Sequence, residues 1–236
     1  MPRALAIAAA AALATLLAAC APEVRRTAAE GEPPPQREAP AEFPRAYYEQ
    51  AAAQGKAVYR VDARQSLVVI EVRRGGSLAR LGHDHVIAAR NVAGFVAPEA
   101  GRADLYVALD DLTVDETELR KAAAFDTQPS ESDIAGTRAN MLDKALETNN
   151  FPFALIHMDS RDGKNSVTIT LHGVTRTLEV PVKIDRDDNQ IGATGLLTFN
   201  QSDFGITPYS ILGGAIAVQD RLNLRFTIRA RREPAP

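Results

Sequence analysis

The sequence predicts an all-β domain in which many antiparallel strands close into a barrel or pack as a sandwich, with one amphipathic helix over an end. Three observations carry this. Apolar and polar residues alternate along several stretches, turn signals separate those stretches, and one stretch has helical instead of strand periodicity.

Residues 46–56 read as a short helical lead-in. Residues 57–231 then form one domain, a length that suits a single core. Irregular strands are expected at 58–62, 67–73, 87–96, 154–159 and 192–200. Alternation is stricter at 104–110, where Leu105, Val107 and Leu109 share a face, and at 166–172, where Val167, Ile169 and Leu171 do. Over 177–185, Leu178, Val180, Val182 and Ile184 oppose Thr177, Glu179, Lys183 and Asp185. Over 221–229, Leu222, Leu224, Phe226 and Ile228 oppose Arg221, Asn223, Arg225 and Arg229. Period two sends each apolar set to one side of a sheet and each charged set to water. Asp162-Gly163, His172-Gly173 and Asp187-Asp188-Asn189 supply the turns.

The helix is expected to start at Ser132 as N-cap, with Ile134, Met141, Leu142, Ala145 and Leu146 along one stripe. Asn149-Asn150 and Pro152 stop it. A weaker helical pattern covers 116–124.

The N-terminus is a different kind of chain. Arg3 is the one charge before Cys20, and residues 4–19 are Ala and Leu broken by Ile7 and Thr15. That apolar run is too short to cross a ~30 Å hydrocarbon core comfortably, so residues 1–19 read as a secretory signal. Leu17-Ala18-Ala19-Cys20 resembles the lipobox of bacterial lipoproteins. The resemblance implies cleavage before Cys20, acylation of its thiol and, with Ala21 following, delivery to the outer membrane. Residues 20–45 contain Glu32-Pro33-Pro34-Pro35-Gln36 and too little apolar surface to offset their conformational entropy, so they read as a disordered tether.

Composition narrows the partners. The chain has 27 Lys+Arg and 30 Asp+Glu, and loss of Arg3 with the leader takes the formal charge from −3 to −4. No basic excess points to nucleic acid. Cys20 is the one cysteine, so intramolecular disulfides are excluded. Trp is absent and the core must be aliphatic.

Four segments, in order across 57–231, resemble the YceI-like family of bacterial periplasmic proteins. They are Tyr59-Arg60-Val61-Asp62 with Gln65-Ser66; Leu142-Asp143 through Phe151-Pro152; Thr168-Ile169-Thr170-Leu171-His172-Gly173-Val174-Thr175-Arg176; and Phe199-Asn200-Gln201-Ser202-Asp203-Phe204-Gly205-Ile206. The resemblance implies a lipocalin-like eight-stranded antiparallel barrel, its helix covering an end and its apolar interior holding an isoprenoid lipid. Gln65 stands where that family often has His, and Leu81-Gly82-His83-Asp84-His85-Val86-Ile87 departs from its commonest pattern.

On that footing the candidate lumen residues are Leu105, Val107, Val167, Ile169, Leu171, Val180, Val182, Leu222, Leu224 and Phe226, with Val68, Ile70, Val72 and Ile156 from the irregular strands. They offer a polar substrate no hydrogen bond but reward a methylene-rich chain at ~0.8 kcal/mol per buried CH2. The other reading is that they fill their own core.

His83-Asp84-His85 is the second candidate. On a strand the two imidazoles would share a face and could contact a ligand headgroup at the barrel mouth, or give two ligands to Zn²⁺ or Cu²⁺. A metal protein or metalloenzyme built on His83 and His85 is the alternative function. Neither His157 nor His172 is forced near them, and the other reading is a polar turn in which His83 and Asp84 bond local backbone after Gly82. No Gly-x-Ser-x-Gly elbow accompanies the Ser, Asp and His residues. The expectation is a non-catalytic carrier of an isoprenoid lipid, quinone or polyprenyl in type, with no other cofactor. It would sit on the periplasmic side of the outer membrane, held by acylated Cys20. A homodimer is compatible with the sequence but not required by it.

Overall fold

The computed structural model describes residues 37–161 and 164–233. The leader, Cys20, the tether as far as residue 36, and the Asp162-Gly163 turn lie outside the described residues.

The strands are β1 (Tyr59–Val61), β2 (Leu67–Val72), β3 (Arg74–Gly75), β4 (His85–Ala89), β5 (Ala93–Ala97), β6 (Arg102–Ala108), β7 (Thr113–Val114) and β8 (Phe153–Arg161). Then come β9 (Lys164–Leu171), β10 (Val174–Glu179), β11 (Val182–Arg186), β12 (Gln190–Asn200), β13 (Ser210–Ile211), β14 (Ile216–Val218) and β15 (Arg221–Arg232). Helices α1 (Arg45–Ala53), α2 (Thr117–Ala122) and α3 (Glu131–Asn140) complete the order.

The ladders form a ring of eight kinked staves, all antiparallel. β15 pairs with both β1 and β2, β1 with β5 and β2 with β4, then β5 with β6 and β4 with β7. β6 pairs with β8, β8 with β9, β9 with β10, β11 with β12, and β12 returns to β15. The sheet is therefore a closed barrel, not a sandwich, and β10 and β11 are one stave that changes neighbours.

The kinks have local causes. The expected strand 177–185 breaks at Pro181, which has no N–H for a ladder. The expected strand 87–96 is interrupted at Arg90, Asn91 and Val92. There buried Asn91 donates from Nδ2 to the Ala108 carbonyl (3.0 Å) and the Asp111 carboxylate (3.2 Å), across the turn that separates β6 from β7. Between β1 and β2, the Asp62 side chain accepts from the Arg64 N–H (3.1 Å), and Ser66 Oγ bonds the Arg229 backbone in place of a ladder bond. The segments 58–62 and 67–73 are thus two halves of one stave, which brings the nine expected strands to eight.

One end of the barrel carries short turns. The other carries α2, α3 and a small three-stranded sheet of β13, β14 and β3. The N-cap of α3 is Ser130, not Ser132. Ser130 Oγ accepts from the Asp133 N–H (3.2 Å) and Asp133 accepts from the Ser130 N–H (3.0 Å). Ser132 has Ala135 three residues on, which cannot return such a bond. The helix runs into a π turn, Met141–Ala145, that buries Met141 and Leu142.

Two apolar clusters lie on the outside of the wall. Phe43 and Tyr48 pack on Phe95 and Tyr106, with Tyr48 stacked on Phe95 at 5.2 Å. Val69, Val86 and Phe125 form the second cluster, with Leu119 of α2 against it. Residues 37–44, expected as the end of the tether, are bound to the barrel instead. Phe43 is buried, Tyr106 donates to the Arg37 carbonyl (3.3 Å), and Arg37 bridges Asp110 (2.6 Å).

Candidate functional site

A cavity of about 690 Å³ runs the length of the barrel, within the ~300–1,000 Å³ range of small-ligand pockets. All fourteen residues assigned to the lumen line it. Val68, Ile70 and Val72 come from β2, Leu105 and Val107 from β6, and Ile156 from β8. Val167, Ile169 and Leu171 come from β9, with Val180 and Val182 at the stave's bend. Leu222, Leu224 and Phe226 of β15 complete the wall. Alternation finds these positions because only every second side chain reaches the lumen. Met141, Ala145 and Leu146, after α3, close over the same space.

Polar lining is confined to the ends. Arg102, Ser160 and Arg186 stand at the turn end; His83, His85, Thr137, Asn140 and Tyr209 stand at the helical end. Arg102 donates to Asp104 (2.6 Å) on the outer face.

The two imidazoles do come together, ring centroids 6.1 Å apart and edge to face. His83, however, precedes β4, and only His85 is on the strand. Asp84 turns away from the cavity and accepts from the Arg74 N–H (2.9 Å). His85 Nδ1 contacts Asp115 Oδ2 at 2.6 Å. Asp115 Oδ1 also accepts from the Val86 N–H (2.9 Å) and from Arg120 Nη1 (2.5 Å). Burial pushes the Asp115 carboxyl up, but its hydrogen bonds from His85, Val86 and Arg120 outweigh that and hold it below its ordinary value. His85 Nε2 has Thr137 Oγ1 at 3.5 Å.

Sequence reasoning missed Asp115 and Thr137. No local spacing links either to His85. The one backbone sign is Asp115 itself, held at φ 58°, a region non-glycine residues rarely occupy.

Among the described residues no group of three or more His, Cys, Asp or Glu is placed to hold a metal. His157 is on the outer face with Asp104 (2.7 Å), and His172 is in the β9–β10 turn beside Phe151 (4.7 Å). Arg225 and Arg229, on the charged face of β15, are paired with Glu71 and Asp185. Asp187 caps its own turn, accepting from the Asn189 and Gln190 N–H groups (2.8 and 2.7 Å). Asp203 closes a local box with Asn200 (3.2 Å), and Phe204 is buried against Phe199.

A family model described as a YceI-like domain matches residues 59–230. Among solved structures, a polyisoprenoid-binding domain from Saccharophagus degradans implicated in plant cell wall breakdown superposes with a TM-score of 0.56 at 14% identity. It covers 75% of this chain and 100% of its own. BcnA from Burkholderia cenocepacia superposes with a TM-score of 0.50 at 16% identity, covering 72% of this chain and 98% of its own. None of the curated proteins matches the chain. The structural likeness is one of fold.

Proposed function

The chain belongs to the YceI-like domain family, and from that premise we propose that it binds an isoprenoid lipid, quinone or polyprenyl in type, in the barrel cavity, without catalysis. One observation carries the reading: an aliphatic cavity of about 690 Å³ whose polar groups sit at its ends. A chain threaded there gains ~0.8 kcal/mol per buried CH2. A few isoprene units then exceed the several kcal/mol needed to immobilise the ligand. The Saccharophagus domain, described as polyisoprenoid-binding, supports the ligand class.

Location is part of the proposal. The Leu17-Ala18-Ala19-Cys20 segment supports export, acylation of Cys20 and attachment to the periplasmic side of the outer membrane. The protein would hold its lipid away from water within reach of that membrane.

Protein purified from native membranes, extracted with organic solvent and analysed by mass spectrometry, should return about one isoprenoid per chain. A cavity that yields none, and takes up none from detergent solution, overturns the reading. Cys20→Ser should move the protein from the membrane fraction to the soluble one.

A further inference from the structure

The helical end of the cavity carries the groups that would meet a ligand's head, a role that rests on the lipid reading above. The Asp115 side chain is fully buried and its partner His85 is nearly so. Asp115 accepts from the Val86 N–H (2.9 Å) and Arg120 Nη1 (2.5 Å) while touching His85 Nδ1 (2.6 Å). Those donors hold Asp115 ionised, and an ionised carboxylate only accepts. The proton between the two residues therefore belongs to Nδ1. That leaves Nε2 as the ring nitrogen that lines the cavity, with Thr137 Oγ1 at 3.5 Å, the long limit of a hydrogen bond.

Two guanidiniums at this end are already paired. Arg120 is paired with Asp115, and Arg74 with Asp126 (2.9 Å) and Asp84 (3.8 Å). Lys144 is exposed, over the Tyr209 ring at 5.5 Å. An anionic head would find neither guanidinium free.

We propose that His85 Nε2 accepts a hydrogen bond from a hydroxyl on the lipid head, so that the cavity selects an uncharged, hydroxyl-ended isoprenoid. The head sits between His85, His83 and Thr137, and the tail lies along the aliphatic wall toward the turn end. A prenyl alcohol and a quinol share this chemistry. A hydrocarbon and a quinone lack the proton; a diphosphate adds charge that neither guanidinium is free to meet.

The test is a binding series on delipidated full-length protein. Geranylgeraniol, the C20 hydrocarbon of the same chain with hydrogen in place of the hydroxyl, geranylgeranyl diphosphate, and a short-chain ubiquinone in its reduced and oxidised forms each compete with a fluorescent alkyl probe. Geranylgeraniol is expected to bind about tenfold tighter than the C20 hydrocarbon or the diphosphate, and the quinol tighter than the quinone, the gain from one directed hydrogen bond. The tighter of alcohol and quinol identifies the source. His85→Phe should bring the alcohol to the affinity of the hydrocarbon; His85→Gln, which keeps an acceptor, should recover part of the loss. Equal binding of alcohol and hydrocarbon, tighter binding of the diphosphate, or a His85→Phe effect on both ligands alike overturns the proposal and leaves the lipid reading standing. Failure of every probe overturns the lipid reading itself. The ligand series on the unmutated chain decides the matter even if His85→Phe does not fold.

Discussion

Tyr48 of α1 donates its hydroxyl to Asp104 of β6 at 2.6 Å, tying the lead-in helix to the outer face of the barrel wall. Asp104 is buried there and also accepts from Arg102 (2.6 Å) and meets His157 (2.7 Å). Burial first, then the adjacent carboxylate, pushes the Tyr48 hydroxyl far above its ordinary value, so it remains a donor at any physiological pH. Tyr48→Phe keeps the stacking on Phe95 and removes one hydrogen bond to a charged group. It should cost roughly 1.5–3 kcal/mol in urea unfolding and leave lipid content unchanged. A neutral result would mean that Arg102 and His157 satisfy Asp104 unaided.

Acid should unfold the protein through Asp104 and Asp115. Burial raises both carboxyls, yet their hydrogen bonds (to Arg102, Tyr48 and His157 in one case, to His85, Val86 and Arg120 in the other) lower them below the ordinary 3.8. A carboxyl with a depressed folded value binds protons less in the folded state. Its stabilisation is complete above 3.8 and is lost as pH falls through the folded value. The urea midpoint should be flat above about pH 5 and fall steadily below about pH 4. Asp104→Asn should reduce that slope and lower the neutral midpoint. A midpoint that rises on acidification would contradict this.

Leu224→Trp puts a large ring into the cavity from β15. The lumen has room for the bulk, so the cost to stability should be modest, about 1–3 kcal/mol, while co-purified lipid falls sharply. Arg225→Ala, next along the same strand but facing out to Glu71 (3.0 Å), is the control. It should cost no more than about 1 kcal/mol and keep the lipid. Mass spectrometry of extracts and thermal melts of both variants check the pair.

Gly94 of β5 is at φ 141°, and a Cβ there would run into the Asp104 carbonyl and Leu105 Cα across the ladder. Gly94→Ala combines backbone strain with a clash against main chain, which cannot move aside. It should cost about 3 kcal/mol or more and reduce soluble yield. Gly136→Ala on α3, where nothing lies within 4 Å of the added methyl, should be harmless or stabilising. Paired denaturation curves separate the two.

The lumen was legible because it obeys one rule: Ile169, Leu224 and their kind face a single apolar space while their neighbours face water. The outer clusters break that rule. Val69 and Val86 point outward yet are buried by Phe125 and α2, and Phe95 and Tyr106 are buried by Phe43 and α1. Period two alone assigns such positions to solvent. The kinks at Asn91 and Ser66 were hidden for a related reason, since side chains replace ladder bonds there and leave no local turn signal. His83 and His85 could be singled out by type, but Asp115, thirty residues downstream of His85, could not. That pairing comes from closing β4 against β7, a contact between staves that no window along the chain contains.

The two outer clusters have a consequence for the empty barrel. The curvature of the sheet is braced by side chains that never meet the lumen. Emptying the cavity should therefore lower the unfolding free energy only by the mass-action contribution of the lost complex, RT ln(1 + [L]/Kd), without collapse of the wall. On the proposed reading, such a protein would stay folded between one ligand and the next.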